Sequence, residues 1–323
     1  MLANDFTALY ESPEPGRVFA YTPGLAALES GRLIATMDQG GPGVVDLPGP
    51  KGTRGEGVHA WQGILWTSDD GGDHWIERTR FPFMPARPLV AGDTLYVLGH
   101  DADLHIMRSD DQGTTWGKPV ALMEGQYWHQ SVCNVHYRGE FVYLVMERRS
   151  RFDHLGWPVS ELAPMLMRAC INYHLKQSSS WSYASELIFY EIECAADLSP
   201  VPLWKTGPTD REGKRIMSSP GWLETNVVEF TDLGHVWHDP AGQTLHLWMW
   251  AHTGGTQLAC VAKVVQETDG HMHTQLEHTP PVRLVLYVPC PGGHMRFHIL
   301  WDERSGLYWL LSSVVNRQHA SSR

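Results

Sequence analysis

The chain has 323 residues, 42% of them apolar, with 25 Lys and Arg against 36 Asp and Glu and a formal net charge of -11. That length supports a large core, and the acidic balance argues against nucleic acid or an anionic membrane surface as partners, since both select basic faces. The five cysteines (Cys133, Cys170, Cys194, Cys260 and Cys290) form no C-x-x-C pair, so neither a disulfide framework nor a thiolate zinc site is expected, and no cofactor or metal is.

From Met1 to Phe6 there is no basic stretch leading into an apolar one, and no later segment approaches the run of about 18 apolar residues that would span a bilayer. The expectation is a cytoplasmic protein as written, or an extracellular or periplasmic one if a signal peptide has been removed. Arg17 to Tyr21 is a candidate closing strand. Beyond it, short β-patterned runs bounded by Gly, Pro, Asp and Asn dominate, among them Gly31 to Thr36, Thr94 to Leu98 and Phe141 to Val145. A 3.6-residue period is not sustained anywhere, and a short piece near Ser160 to Leu162 is the best helical candidate. The fold class is therefore all-β.

An internal repeat narrows that class. Ser68-Asp69-Asp70-Gly71-Gly72-Asp73-His74-Trp75 and Ser109-Asp110-Asp111-Gln112-Gly113-Thr114-Thr115-Trp116 both satisfy S-x-D-x-G-x-x-W, and they begin 41 residues apart. That spacing suits a propeller blade of roughly 40–50 residues. Each octet separates two β runs, as a hairpin turn would. The Asp carboxylate can accept from backbone N–H groups of its own turn, the Gly supplies φ > 0, and the Trp covers the hairpin. Asp70 and Asp111 are thus expected to be structural.

Later runs keep the rhythm without a clean octet. Tyr127 to Glu147 reads as two strands about a turn at Arg138 to Glu140, with further strands at Met165 to Tyr173 and Glu186 to Glu193. Trp222 to Val236, Thr244 to Ala251, Gln257 to Val265 and Thr274 to Val282 supply another four. His294 to Leu300 and Tyr308 to Val315 flank a turn at Asp302 to Gly306. About five blades are countable in one domain spanning residues 1–323. Either the ring closes with five, or the last blade of a larger ring is missing.

With these octets, known as Asp boxes, the sequence resembles the sialidase-like (BNR-repeat) β-propeller superfamily. Within it, the resemblance is closest to uncharacterised exo-sialidase-like propeller proteins. Met37 to Gly43 (MDQGGPG), Tyr127 to Ser131 (YWHQS), Trp222 to Asn226 (WLETN) and Pro291 to Phe297 (PGGHMRF) carry the closer likeness. The resemblance implies six blades and a further hairpin after Asn316. It also implies three arginines that hold a substrate carboxylate, one of them in R-I-P, but Arg17 is followed by Val18-Phe19 and Arg80 by Phe81-Pro82.

Propeller ligands bind at the axis, at the loops leaving the innermost strands, and the four segments begin or precede such strands. His129 precedes the run Ser131 to Val135 and can exchange protons near neutral pH, while Tyr127 and Trp128 beside it can stack on a sugar. Glu224 and Asn226 alternate on one side of their strand, as a period of two demands, so both can face the axis together. Asp38 ends a strand in a Gly-rich loop. His294 and Arg296 follow a flexible Gly pair, where the guanidinium could meet a carboxylate. One of Glu147, Arg148 and Arg149 could turn inward, although a solvated loop is the simpler expectation. His235 and His238 lack a third metal ligand, and His271 and His273 read as loop residues.

These residues lead to a carbohydrate-active enzyme, a glycoside hydrolase acting on a glycan with an acidic sugar. Glu224 and Asp38 would flank the scissile bond roughly 5–10 Å apart. Two alternatives stand beside it. A polysaccharide lyase would use His129 and Tyr127 on a uronic acid with Arg296 on its carboxylate, and a non-catalytic propeller would bind glycan through its Trp. The oligomeric state is not legible.

Overall fold

Among the described residues, strands joined by tight turns account for nearly all regular structure. A computed structural model describes residues 6–53, 59–129, 133–152, 159–195, 197–200, 221–251, 258–279, 283–290 and 297–312. Contacts divide the chain into two compact units, one of Met1–Trp128 with Ile171–Ser180, the other of His129–Cys170 with Trp181–Arg323.

The first unit holds two four-stranded antiparallel meanders. Strands β1 (Phe19–Ala27), β2 (Leu33–Gly40), β3 (Gln62–Ser68) and β4 (Ile76–Phe81) form one, and β5 (Met84–Ala91), β6 (Thr94–Asp101), β7 (Asp103–Ser109) and β8 (Val120–Met123) the other. The Arg17 to Tyr21 stretch is a correction to the sequence reading, because Phe19 to Tyr21 open β1 and pair with β2. A central strand here is buried on both faces, so it reads as an unbroken apolar run. Ile34, Leu65, Phe81, Phe83, Leu95, Val97 and Met107 make the common core of these sheets.

Both octets turn a third strand into a fourth, with matching bonds. In the first, Asp70 Oδ1 accepts from the His74 N–H at 2.9 Å and the Ser68 hydroxyl at 2.8 Å, and Trp75 Nε1 donates to the Gly72 carbonyl at 2.9 Å. In the second, Asp111 Oδ1 accepts from the Thr115 N–H and the Ser109 hydroxyl, both at 2.8 Å, and Trp116 Nε1 donates to the Gly113 carbonyl at 3.0 Å. Arg32 joins the two turns through Asp69 Oδ1 at 2.5 Å and the Gln112 carbonyl at 3.1 Å. The structural reading of Asp70 and Asp111 is what the bonds support.

The second unit contains β10 (His136–Arg138), β11 (Phe141–Arg149), β12 (Leu162–Cys170) and β13 (Trp181–Tyr183), with the short β9 (Trp128–His129) also paired to β11. The next sheet is β14 (Trp222–Val228), β15 (Thr244–Ala251), β16 (Leu258–Gln266) and β17 (Met272–Gln275). A hairpin, β18 (Glu277–Thr279) and β19 (Arg283–Val285), precedes β20 (Tyr287–Pro289), which returns to β16. A further hairpin is β21 (His298–Asp302) and β22 (Leu307–Leu311). Tyr143, Val145, Leu166, Trp222, Leu247, Met249 and Cys260 belong to the main core of this unit.

Three sequence expectations shift here. Glu186 to Glu193 is not a strand: it carries a 3-10 turn at Phe189–Glu191, and the fourth strand is the earlier β13. Residues 133–135 are irregular, so the stretch after His129 does not run on as a strand, and 131–132 lie outside the described residues. Near Ser160 the short helical piece is a 3-10 turn, Val159–Glu161.

Candidate functional site

The first strand of three sheets carries a β-bulge at the same place. In β1 it falls between Tyr21 and Gly24, in β5 between Met84 and Arg87, and in β14 between Leu223 and Asn226. A bulge sets two residues against one and frees a backbone N–H from the ladder. In β14 the two residues set against one are Glu224 and Thr225, opposite Met249. Glu224 has φ +59 and is 4% exposed. A left-handed conformation in a residue with a Cβ costs about 1–2 kcal/mol and is retained where the surroundings enforce it, often at functional positions. Pro85 and Thr22 take the matching place in β5 and β1, Thr22 with φ +42. The bulge also corrects the expected alternation, because Glu224 and Asn226 are separated by the irregularity and no longer follow a simple period of two.

In β5 and β14 a carboxylate near the end of a second strand meets the freed amide. In the second unit Glu147 Oε1 accepts from the Thr225 N–H at 3.0 Å and from its hydroxyl at 2.8 Å. Within the first unit Asp38 Oδ1 accepts from the Ala86 N–H at 3.0 Å, while the Thr36 hydroxyl donates to the Ala86 carbonyl at 2.5 Å. Glu147 is buried, so the solvated-loop expectation for it is overturned. Arg148 and Arg149 stay on the strand's outer end, paired to Glu186 and, at 2.8 Å, to Glu161. The sequence signal for Glu147 is a carboxylate that ends a buried apolar run, the position Asp38 holds in β2.

His129 sits in β9 with its Nδ1 out of solvent contact, and burial lowers its pKa to about 4. It is therefore neutral at pH 7, with a free-base ring of low basicity. Tyr127 is 45% exposed, whereas Trp128 is buried and its backbone N–H donates to the Ala102 carbonyl at 2.9 Å. Of that aromatic pair Tyr127 is the ring open to a ligand. Asn226 is fully buried: its Oδ1 accepts from the N–H groups of Asn134 and Ile299 at 3.3 and 3.2 Å, and its Nδ2 donates to the Phe297 carbonyl at 3.1 Å. Both ends of that amide serve backbone. His294 and Arg296 lie outside the described residues.

Asp38 belongs to the unit of β2 and Glu224 to that of β14. In the first unit, Asp38 shares its strand end with Gln39 and Gly40. A Cβ on Gly40 would fall 2.5 Å from the Trp61 ring, so only glycine lets that indole lie on the strand. Trp61 in turn packs against Tyr21, with ring centroids 5.4 Å apart. Arg87 is buried here too and was not singled out from sequence. The first octet turn lies at the opposite end of this sheet, since Leu33 pairs with Ser68 and Gln39 with Gln62.

The histidines after β14 serve the fold. His235 stacks on Phe230 at 4.0 Å, and His238 Nδ1 lies 2.8 Å from the Phe230 carbonyl. His246 and Lys263 hold Glu277 at 2.5 and 2.8 Å; burial works against ionisation, yet these partners bring the pKa of Glu277 down to about 2. Among the described residues no three His, Cys, Asp or Glu side chains are placed to hold a metal ion.

No family model matches the sequence, and no curated protein does. Solved structures do. A mutant of NanB sialidase from Streptococcus pneumoniae aligns over 94% of this chain with 9% identity and a TM-score of 0.50. This chain covers 54% of that one, about half its length. The fold is a β-propeller. A protein of unknown function from Dyadobacter fermentans aligns over 89% of this propeller and 73% of its own chain, with 14% identity and a TM-score of 0.49. For an α-L-arabinanase from Penicillium chrysogenum, solved with arabinobiose, the figures are 93% and 78%, 10% identity and 0.46.

Proposed function

We propose that this propeller is a glycoside hydrolase of the sialidase-like kind, acting on a glycan that carries an acidic sugar, with Glu224 as the carboxylic acid that protonates the leaving oxygen. The observation that carries the reading is Glu224 itself: a buried carboxyl group held at positive φ in the bulge of the first strand of its sheet. The two Asp-box turns and the fold likeness to a sialidase support the superfamily. Tyr127 is the exposed ring proposed to stack on the sugar, and Arg296 and His294 are the proposed carboxylate-binding pair.

One observation favours a second reading. A neutral His129 beside Tyr127 would suit a polysaccharide lyase, in which the imidazole takes the C5 proton of a uronic acid and the glycosidic oxygen leaves by elimination. The products separate the two, because elimination leaves an unsaturated uronate that absorbs in the ultraviolet and hydrolysis does not.

The test is turnover of a panel of aryl glycosides and uronate-containing polysaccharides, followed by reducing ends and by ultraviolet absorbance. Glu224→Gln is expected to cut hydrolysis by about 10²–10⁴-fold with glycan binding retained. Turnover within a few-fold of the unaltered protein would remove Glu224 from the mechanism, and an absorbing product lost in His129→Ala would install the lyase.

A further inference from the structure

Glu147 and Asp38 occupy one position in the propeller repeat. In β1 the bulge lies opposite Met37 and is followed on β2 by Asp38; in β5 it lies opposite Gly99; in β14 it lies opposite Met249. The second residue of the bulge offers the freed N–H, Ala86 in β5 and Thr225 in β14, and an acid from the preceding sheet's second strand takes it in both units. The partners are 48 residues apart in one case and 78 in the other, so no local turn chemistry brings them together. The second instance differs from the first in what precedes the gripped residue. In β5 it is Pro85, with a ring that limits its own backbone; in β14 it is Glu224, which is not constrained by a ring and sits at positive φ.

From this geometry we infer that Glu147 is the positioning residue of Glu224, acting through Thr225. The inference rests on the proposed role of Glu224. Glu147 takes both donors of Thr225, the N–H and the hydroxyl, on one oxygen. With both held, the peptide that follows Glu224 cannot rotate, and the left-handed backbone that aims the Glu224 side chain is fixed from its C-terminal side. Releasing the grip leaves a buried amide without its acceptor and allows the bulge to relax toward negative φ, which displaces the carboxyl group. Displacement of about 1 Å can cost on the order of 10²-fold in rate without a comparable change in affinity. Asp38 is the same device in the first unit, where it holds the bulge that leads into Arg87.

Three variants test the inference: Glu147→Ala, Glu147→Gln, which keeps the Oε1 acceptor, and Thr225→Val, which keeps the N–H and loses the hydroxyl. Hydrogen exchange over residues 222–228 reads the grip, and kcat and KM on the glycan substrate read its consequence. In Glu147→Ala the Thr225 amide is expected to exchange about 10-fold faster or more, with kcat down on the order of 10²-fold and KM within about 3-fold. Glu147→Gln is expected to restore both to within about 5-fold of the unaltered protein, with Thr225→Val between them. Thr225 exchange in Glu147→Ala as slow as in the parent would overturn the inference. So would a Glu147→Gln protein as slow in kcat as Glu147→Ala, since its charge would then act directly. Should Glu147→Ala fail to fold, Glu147→Gln and Thr225→Val carry the same comparison. If the parent turns over no glycan, all activities are flat while the exchange differences persist; that sinks the hydrolase reading and leaves the exchange readout to decide the grip.

Discussion

Two sets of carboxylates in this propeller do the same chemistry in opposite settings. Asp70 and Asp111 each accept a backbone N–H four residues ahead in their own turn, in contact with water. Hydrogen bonds from Thr115 hold Asp111 down to about 2, and those from His74 hold Asp70 below the usual carboxylate range. Asp38 and Glu147 each accept a backbone N–H from a strand tens of residues away, inside the protein. The local grip shapes one turn and asks nothing of the rest of the chain. The distant grip ties neighbouring sheets and fixes a bulge, so its loss reaches further than its own bond. Buried, non-local polar contacts are therefore where stability and site geometry meet.

The largest effect expected from that contrast is at Asn134. Its Nδ2 donates to the carbonyls of Val227 and Ile299 at 2.7 and 3.0 Å, and its Oδ1 accepts from the Val227 N–H at 2.7 Å. Asn134→Ala deletes three buried bonds and strands their backbone partners, an expected loss of about 3–4 kcal/mol, read by urea denaturation. A loss below about 1 kcal/mol would mean that distant grips weigh no more than local ones.

Next in size is an acid limb set by His129. Its folded pKa of about 4 lies below the ordinary value of 6.5, so the unfolded chain takes up the proton first as pH falls. Stability is unaffected above about pH 6.5, declines between there and about pH 4, and is lower by about 1–3 kcal/mol at the bottom of that window. His129→Gln is expected to flatten this limb. A limb that persists unchanged in the variant would place the titration elsewhere.

How much of this was legible depended on the range of the interaction. The octets declare themselves because S-x-D-x-G-x-x-W bonds within itself, and the strands around them follow from short apolar runs between turn residues. The bulge in β14 was hidden: a two-residue period read through Trp222 to Asn226 puts Glu224 and Asn226 on one side, and nothing local to that stretch announces an extra residue. Asn226 was chosen for a ligand and turned out to serve backbone from Asn134, Phe297 and Ile299, partners that only the assembled sheets reveal. Glu147 could have been found by comparison with Asp38, since both end a buried second strand. Glu186 to Glu193 misled because its apolar spacing suits a strand while the chain there makes a 3-10 turn.

The smallest effect separates the two octets from each other. Gly72 and Gly113 fill the same position, at φ +102 and +85. Alanine at either should cost about 1–2 kcal/mol from backbone strain, and on strain alone Gly72→Ala should be the worse, lying further from the left-handed well near +57°. Packing ranks them the other way. A Cβ at Gly72 meets nothing closer than 3.6 Å, whereas at Gly113 it lies 3.1 Å from Ile34 Cδ1 and 3.2 Å from Leu95 Cδ1. Both of those side chains are completely buried in the core that the two sheets of the first unit share, so neither has room to move aside. Overpacking of this kind costs about 1–3 kcal/mol, more than the strain difference between two angles 17° apart. Gly113→Ala is therefore expected to lose about 1 kcal/mol more than Gly72→Ala in urea denaturation. Equal losses would show that the second octet, like the first, is a surface turn that leaves the core untouched.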